Sequence, residues 1–139
     1  MSLLLLNNEV VQAETLRSAP AEIDYLSVRV VTDSYQIAVS PHSKAGSVEI
    51  KRFGFAVGPY PPERALLSEF GLSLFASSQR GAESRNVLVD FGYTPLTLLN
   101  NLELLGIDVA SVHALVLSHG HYDHFGGLVG FFSVHPRAN

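Results

Sequence analysis

Cysteine is absent from the 139 residues, so neither a disulfide framework nor a thiolate metal site can be built. That absence fits a reducing, cytoplasmic setting without requiring one. Charge is scarce as well: charged residues make up 16% of the chain against 47% hydrophobic, a bias toward extensive burial. The nine Lys and Arg are scattered and the formal net charge is −4, so nucleic acid is not a favoured partner. Long apolar runs are missing too. Leu3-Leu4-Leu5-Leu6 has no basic residue before it and stops at Asn7-Asn8-Glu9, which reads as neither a signal peptide nor a membrane span. The sequence also has no internal repeat, low-complexity tract or phosphate-cradling glycine loop.

What is present is concentrated late in the chain. Residues 119–124, His-Gly-His-Tyr-Asp-His, pack three imidazoles and a carboxylate into six positions. On an extended segment His119 and His121 would point to the same side and could converge on one ion. Asp123 and His124 follow where the chain must turn, and can swing toward a second ion beside the first. Gly126 and Gly127 then supply backbone freedom for a sharp bend. This donor set suits a borderline divalent ion, zinc first, with iron or manganese possible. Ala114-Leu115-Val116-Leu117 reads as a fully buried strand that delivers the loop from its carboxyl end.

The pattern at 119–124, preceded by Leu-Ser and followed by Gly-Gly-Leu, closely resembles the signature of the metallo-β-lactamase-fold hydrolases. Val87-Leu88-Val89-Asp90-Phe91-Gly92 resembles that family's strand ending in an Asp-X-Gly turn. Ser68-Glu69-Phe70-Gly71-Leu72-Ser73 resembles a segment of the subgroup typified by a dihydropterin-ribofuranosyl-aminobenzene phosphate synthase, although it carries no ligand chemistry. The resemblance implies an α/β fold, an αββα sandwich of which this chain supplies the amino-terminal half. It implies that His119 and His121 bind one metal, that Asp123 and His124 bind a second, and that Asp90 steadies the metal loop. It also implies a hydroxide between the ions that attacks a small-molecule substrate.

The family's remaining ligands, a later His, a bridging carboxylate and a final His, are not in this sequence. His135 comes too soon after His124 to be on the expected next strand and reads as an ordinary polar residue. Each ion would then have two protein ligands where a catalytic zinc takes three, so weak metal binding is expected and the chain alone is expected to be inactive. The sequence thus reads as a piece of a longer protein, with one apolar sheet face to be covered by the missing carboxyl-terminal half or by a second copy.

Along the chain, residues 1–24 read as an amino-terminal extension, helical over Glu9 to Arg17. Residues 25–139 read as the domain portion, opening with a β-branched strand from Leu26 to Thr32. Residues 37–64, rich in Gly and Pro, read as a long insertion that can overhang the metal centre or shield a sheet edge. Within it Lys44, Lys51, Arg52, Arg64 and His42 are isolated polar residues expected to face solvent, and Phe53, Phe55 and Tyr60 are expected to anchor the loop. Strands are expected over 72–76 and 86–91, joined by a polar turn from Ser77 to Arg85. Thr94 caps a helix with Pro95 first, and the stripe Leu98, Leu102, Leu105 runs to a stop at Gly106. His113 reads as a strand-entry residue.

Two functions remain. One is a dinuclear metal-dependent hydrolase of an ester, phosphoester, lactone or amide, with Asp123 orienting the nucleophile or receiving its proton; the subgroup resemblance adds a transferase-like synthase as a variant. The other is a non-catalytic fragment or binding module that keeps half of the fold.

Overall fold

The computed structural model describes residues 21–35, 41–52 and 62–136. Its elements are β1 (Tyr25–Thr32), β2 (Ser43–Ala45), β3 (Val48–Ile50), β4 (Ser73–Arg80), β5 (Glu83–Val89), α1 (Pro95–Leu104), a 3-10 turn (Val109–Ser111), β6 (Ala114–Val116), α2 (Tyr122–Phe125) and α3 (Leu128–Val134). A mixed sheet has the order β1-β4-β5-β6, antiparallel except for the parallel β5–β6 pair. Its parallel step is bridged by α1, as such a crossover requires. This α/β arrangement, a mixed sheet with flanking helices, is compatible with a metallo-β-lactamase-like fold.

Strand alternation assigns the two faces. Phe75 and Leu88, opposite one another on β4 and β5, point toward the helices and are buried with Leu98, Leu102, Phe91 and Phe131. At the end of β1 a register shift between Val30 and Thr32 turns both Val31 and Thr32 inward. The opposite face carries Leu26, Val28 and Val30 of β1, then Leu74, Ala76, Val87, Val89, Ala114 and Val116 across the ladder. None of these is buried among the described residues.

The helix signals hold. Thr94 is extended, its side chain accepts from the Thr97 amide, and Pro95 opens α1. Asn101, 1% exposed, faces inward from the same helix and ties three segments together. Its amide group donates to the carbonyls of Val31 and Leu67 at 2.7 Å each, and its oxygen accepts from the Leu67 amide at 2.8 Å. Asn101→Ala would leave those buried groups unpaired, and a loss of about 3 kcal/mol is expected in urea unfolding; an unchanged midpoint would show the tie to be dispensable.

Three expectations need correction. The Ser77–Arg85 region is not a turn: β4 runs to Arg80 and β5 resumes at Glu83, leaving Gly81, at φ 55, and Ala82 between them. Ser77 pairs with Asn86 and Ser78 with Arg85, so the polar text marks a ribbon whose tip, from Gln79 to Arg85, is exposed. The Ala114–Leu117 run is not fully buried. β6 is the sheet edge, and Ala114, Val116 and Leu117 are exposed because nothing covers their face among the described residues. The 37–64 insertion contains a small hairpin, β2 paired with β3. Phe53, Phe55, Tyr60 and the Glu9–Arg17 segment lie outside the described residues.

Candidate functional site

The site begins where β5 ends. Asp90 takes a left-handed backbone, φ 56, a conformation that a short polar side chain tolerates better than most. The turn is held by backbone bonds from Asp90 N to Val116 O at 2.9 Å and from Phe91 N to His124 O at 2.7 Å. Ser73 Oγ adds a bond to the Asp90 carbonyl at 3.0 Å. So fixed, the Asp90 side chain, 2% exposed, meets the loop that leaves β6. Oδ1 accepts from the Ser118 amide at 2.8 Å, and Oδ2 accepts from Ser118 Oγ at 2.7 Å and from His124 Nδ1 at 2.6 Å.

Burial by itself would raise the Asp90 carboxyl, but the Ser118 amide, the His124 ring and the Ser118 hydroxyl together hold it below the ordinary value of 3.8. A carboxylate with a lowered folded pKa stabilises fully above its ordinary value and loses that contribution as pH falls through the folded one. The protein is therefore expected to lose stability below about pH 4, and Asp90→Asn should flatten that part of an acid denaturation profile. An unaltered acid limb would refute the assignment.

Around this anchor the four predicted donors come together. The rings of His119 and His121 lie 4.6 Å apart and those of His119 and His124 4.0 Å apart. His119 Nε2 is 3.0 Å from His121 Nδ1, and His124 Nε2 is 3.3 Å from Asp123 Oδ2. Two imidazole nitrogens on one tetrahedral zinc would stand about 3.3 Å apart, so each pair already has roughly the separation of two donors sharing an ion. Donor chemistry and spacing fit two two-ligand pairs. Among the described residues no group of three or more His, Asp or Glu is arranged to hold a metal ion.

The local backbone differs from the sequence reading. His119 is not on a strand, and His121 is the amino-terminal cap of α2, whose single turn carries Asp123 and His124. Gly126 and Gly127 have ordinary helical dihedrals. They are glycine because a Cβ would run into the carbonyls of Tyr93 and Phe91 respectively, so close packing explains them and unusual torsion does not. Tyr122 is 71% exposed, its ring 5.0 Å from that of Phe125.

Several supporting residues went unnoticed in the sequence. Glu69 accepts from the amides of Tyr93 and Thr94 and from the Thr94 hydroxyl at 2.7, 2.9 and 2.7 Å. Leu72 N reaches Asp123 O at 3.2 Å. The 68–73 segment is thus a buttress for α2 and the start of α1. The signal was a subgroup resemblance without ligand chemistry, which fits a supporting role. Elsewhere, Arg64 forks onto Glu103 at 2.8 and 2.9 Å, and Lys51 lies 3.6 Å from Glu49; both pairs are exposed. His42 Nδ1 accepts from the Arg52 amide. His113 extends the ladder, its amide and ring both bonding to the backbone of Asn86. His135 is no ordinary polar residue: it is 9% exposed, at the end of α3, with its ring stacked 5.1 Å from Phe131.

Residues 79–136 match the metallo-beta-lactamase superfamily. That stretch runs from the end of β4 through α3 and contains Asp90 and all four donors. A 7,8-dihydropterin-6-methyl-4-(beta-D-ribofuranosyl)-aminobenzene-5'-phosphate synthase from Methanocaldococcus jannaschii is 35% identical over 63 residues, which are 45% of this chain and 21% of that protein. The chain therefore spans about a fifth of the length of this curated relative. The superfamily match suggests hydrolase-like function and typical use of divalent metals, whereas the relative is named a synthase. No helix among the described residues is long and apolar enough to cross a membrane.

Proposed function

We propose that this chain carries the metal-binding loop of a metal-dependent hydrolase acting on an ester, phosphoester, lactone or amide. The observation that supports it is the pairing of donors: His119 with His121 at 3.0 Å and Asp123 with His124 at 3.3 Å, on a loop pinned to Asp90. Bound divalent ions, zinc foremost, would supply Lewis acidity and a nucleophile active at neutral pH. His119 and His121 would hold one ion, and Asp123 and His124 the other. Asp123, only partly exposed, would also orient the nucleophile or take its proton. Asp90 orients His124 through Nδ1 and leaves Nε2 free for a ligand. The relative's name adds a synthase working on a phosphate-bearing substrate as a variant of this reading.

Titration with zinc and elemental analysis test it. Binding of about two ions per chain is expected, each weakly held by two donors, and His121→Ala should remove one of them. Unchanged metal content in that variant would overturn the assignment. A chain that binds no ion would instead support a non-catalytic binding module, a reading favoured by the two-donor limit of each pair.

A further inference from the structure

Ser118 Oγ carries a single proton and has three polar neighbours: Asp90 Oδ2 at 2.7 Å, His119 Nδ1 at 3.0 Å and His124 Nδ1 at 3.4 Å. The charged carboxylate is the strongest acceptor in reach, so the hydroxyl donates to Asp90. Its lone pairs then face His119, whose Nδ1 must be the protonated, donating nitrogen. His124 gives its own Nδ1 proton to the same carboxylate oxygen at 2.6 Å. One buried carboxylate therefore engages Nδ1 of two imidazoles, one directly and one across a serine oxygen. In both rings Nε2 points away from Asp90, toward His121 Nδ1 from His119 and toward Asp123 Oδ2 from His124.

We propose that Ser118 is a positioning residue that relays Asp90 to His119 and so holds Nε2 of His119 unprotonated toward a divalent cation. Only the last step, the cation, rests on the proposed metal function. The tautomer itself is a property of the metal-free chain. The Ser118 amide bond to Asp90 does not involve the side chain, so substitutions of the hydroxyl leave that anchor of the loop in place.

The test is the ring-nitrogen NMR spectrum of histidine-labelled, metal-free protein at a pH of about 8, above the ordinary histidine range. Wild type should show His119 protonated at Nδ1 and bare at Nε2. Ser118→Ala should shift His119 toward the Nε2-protonated form, and Ser118→Thr, which keeps a hydroxyl, should restore the wild-type pattern. In parallel, cobalt affinity should fall about 10- to 100-fold in the alanine variant and recover with threonine. An unchanged His119 spectrum in Ser118→Ala overturns the relay even if cobalt binds normally. A shifted spectrum in a protein that never binds cobalt supports the relay and overturns the metal function.

Discussion

Gly71→Ala is expected to lower stability by roughly 4 kcal/mol and to displace Asp123 from His124. Gly71 has φ 129, a region that residues with a Cβ avoid, and a Cβ there would collide with the Asp123 carbonyl. The contact cannot open without cost, because the next residue, Leu72, bonds that same carbonyl and receives the Gly92 amide at 2.9 Å. Gly81→Ala is the matched comparison. Gly81 also has positive φ, 55, but nothing lies near its missing Cβ, so only the backbone term of about 1 kcal/mol is lost. Urea unfolding of the two variants separates torsion from collision. Equal losses would mean that the buttress is not rigid.

Asp90→Ala is expected to lower stability by about 3 to 5 kcal/mol, the range for removing one partner of a buried charged network. Two Ser118 donors and the His124 ring lose their acceptor at once, and alanine is also a poorer fit to φ 56. The damage should be local as well as global. In hydrogen exchange the amide of Ser118 should lose its protection, while that of Leu98 in α1, bonded to the Thr94 carbonyl at 3.2 Å, should change only with global stability. Retained protection at Ser118 would show that another group anchors the loop.

Features set by local chemistry were legible in the sequence: the Thr94-Pro95 start of α1, the Leu98, Leu102, Leu105 stripe, β1, and the clustering of the 119–124 side chains beside Asp90. What escaped depends on partners distant in sequence. Polarity suggested a turn from Ser77 to Arg85, but a two-stranded ribbon extending beyond its helices needs polar residues on both faces. The apolarity of Ala114 to Leu117 suggested burial, yet nothing among the described residues covers the sheet face that Ala114 and Val116 share. Asn101 and Glu69 look like ordinary helix and loop residues, and their roles arise from Val31, Leu67, Tyr93 and Thr94 brought in by the fold. Local propensity cannot report such pairings.

Among the described residues β6 has three residues and one hydrogen-bonded neighbour, yet it launches the loop that bears every imidazole of the candidate site. Short border segments open at low free energy. A site that assembles only part of the time binds its ligand more weakly in proportion to that fraction. By linkage, anything that steadies this border would tighten the proposed cation binding, and a cation bound there would in turn steady the border.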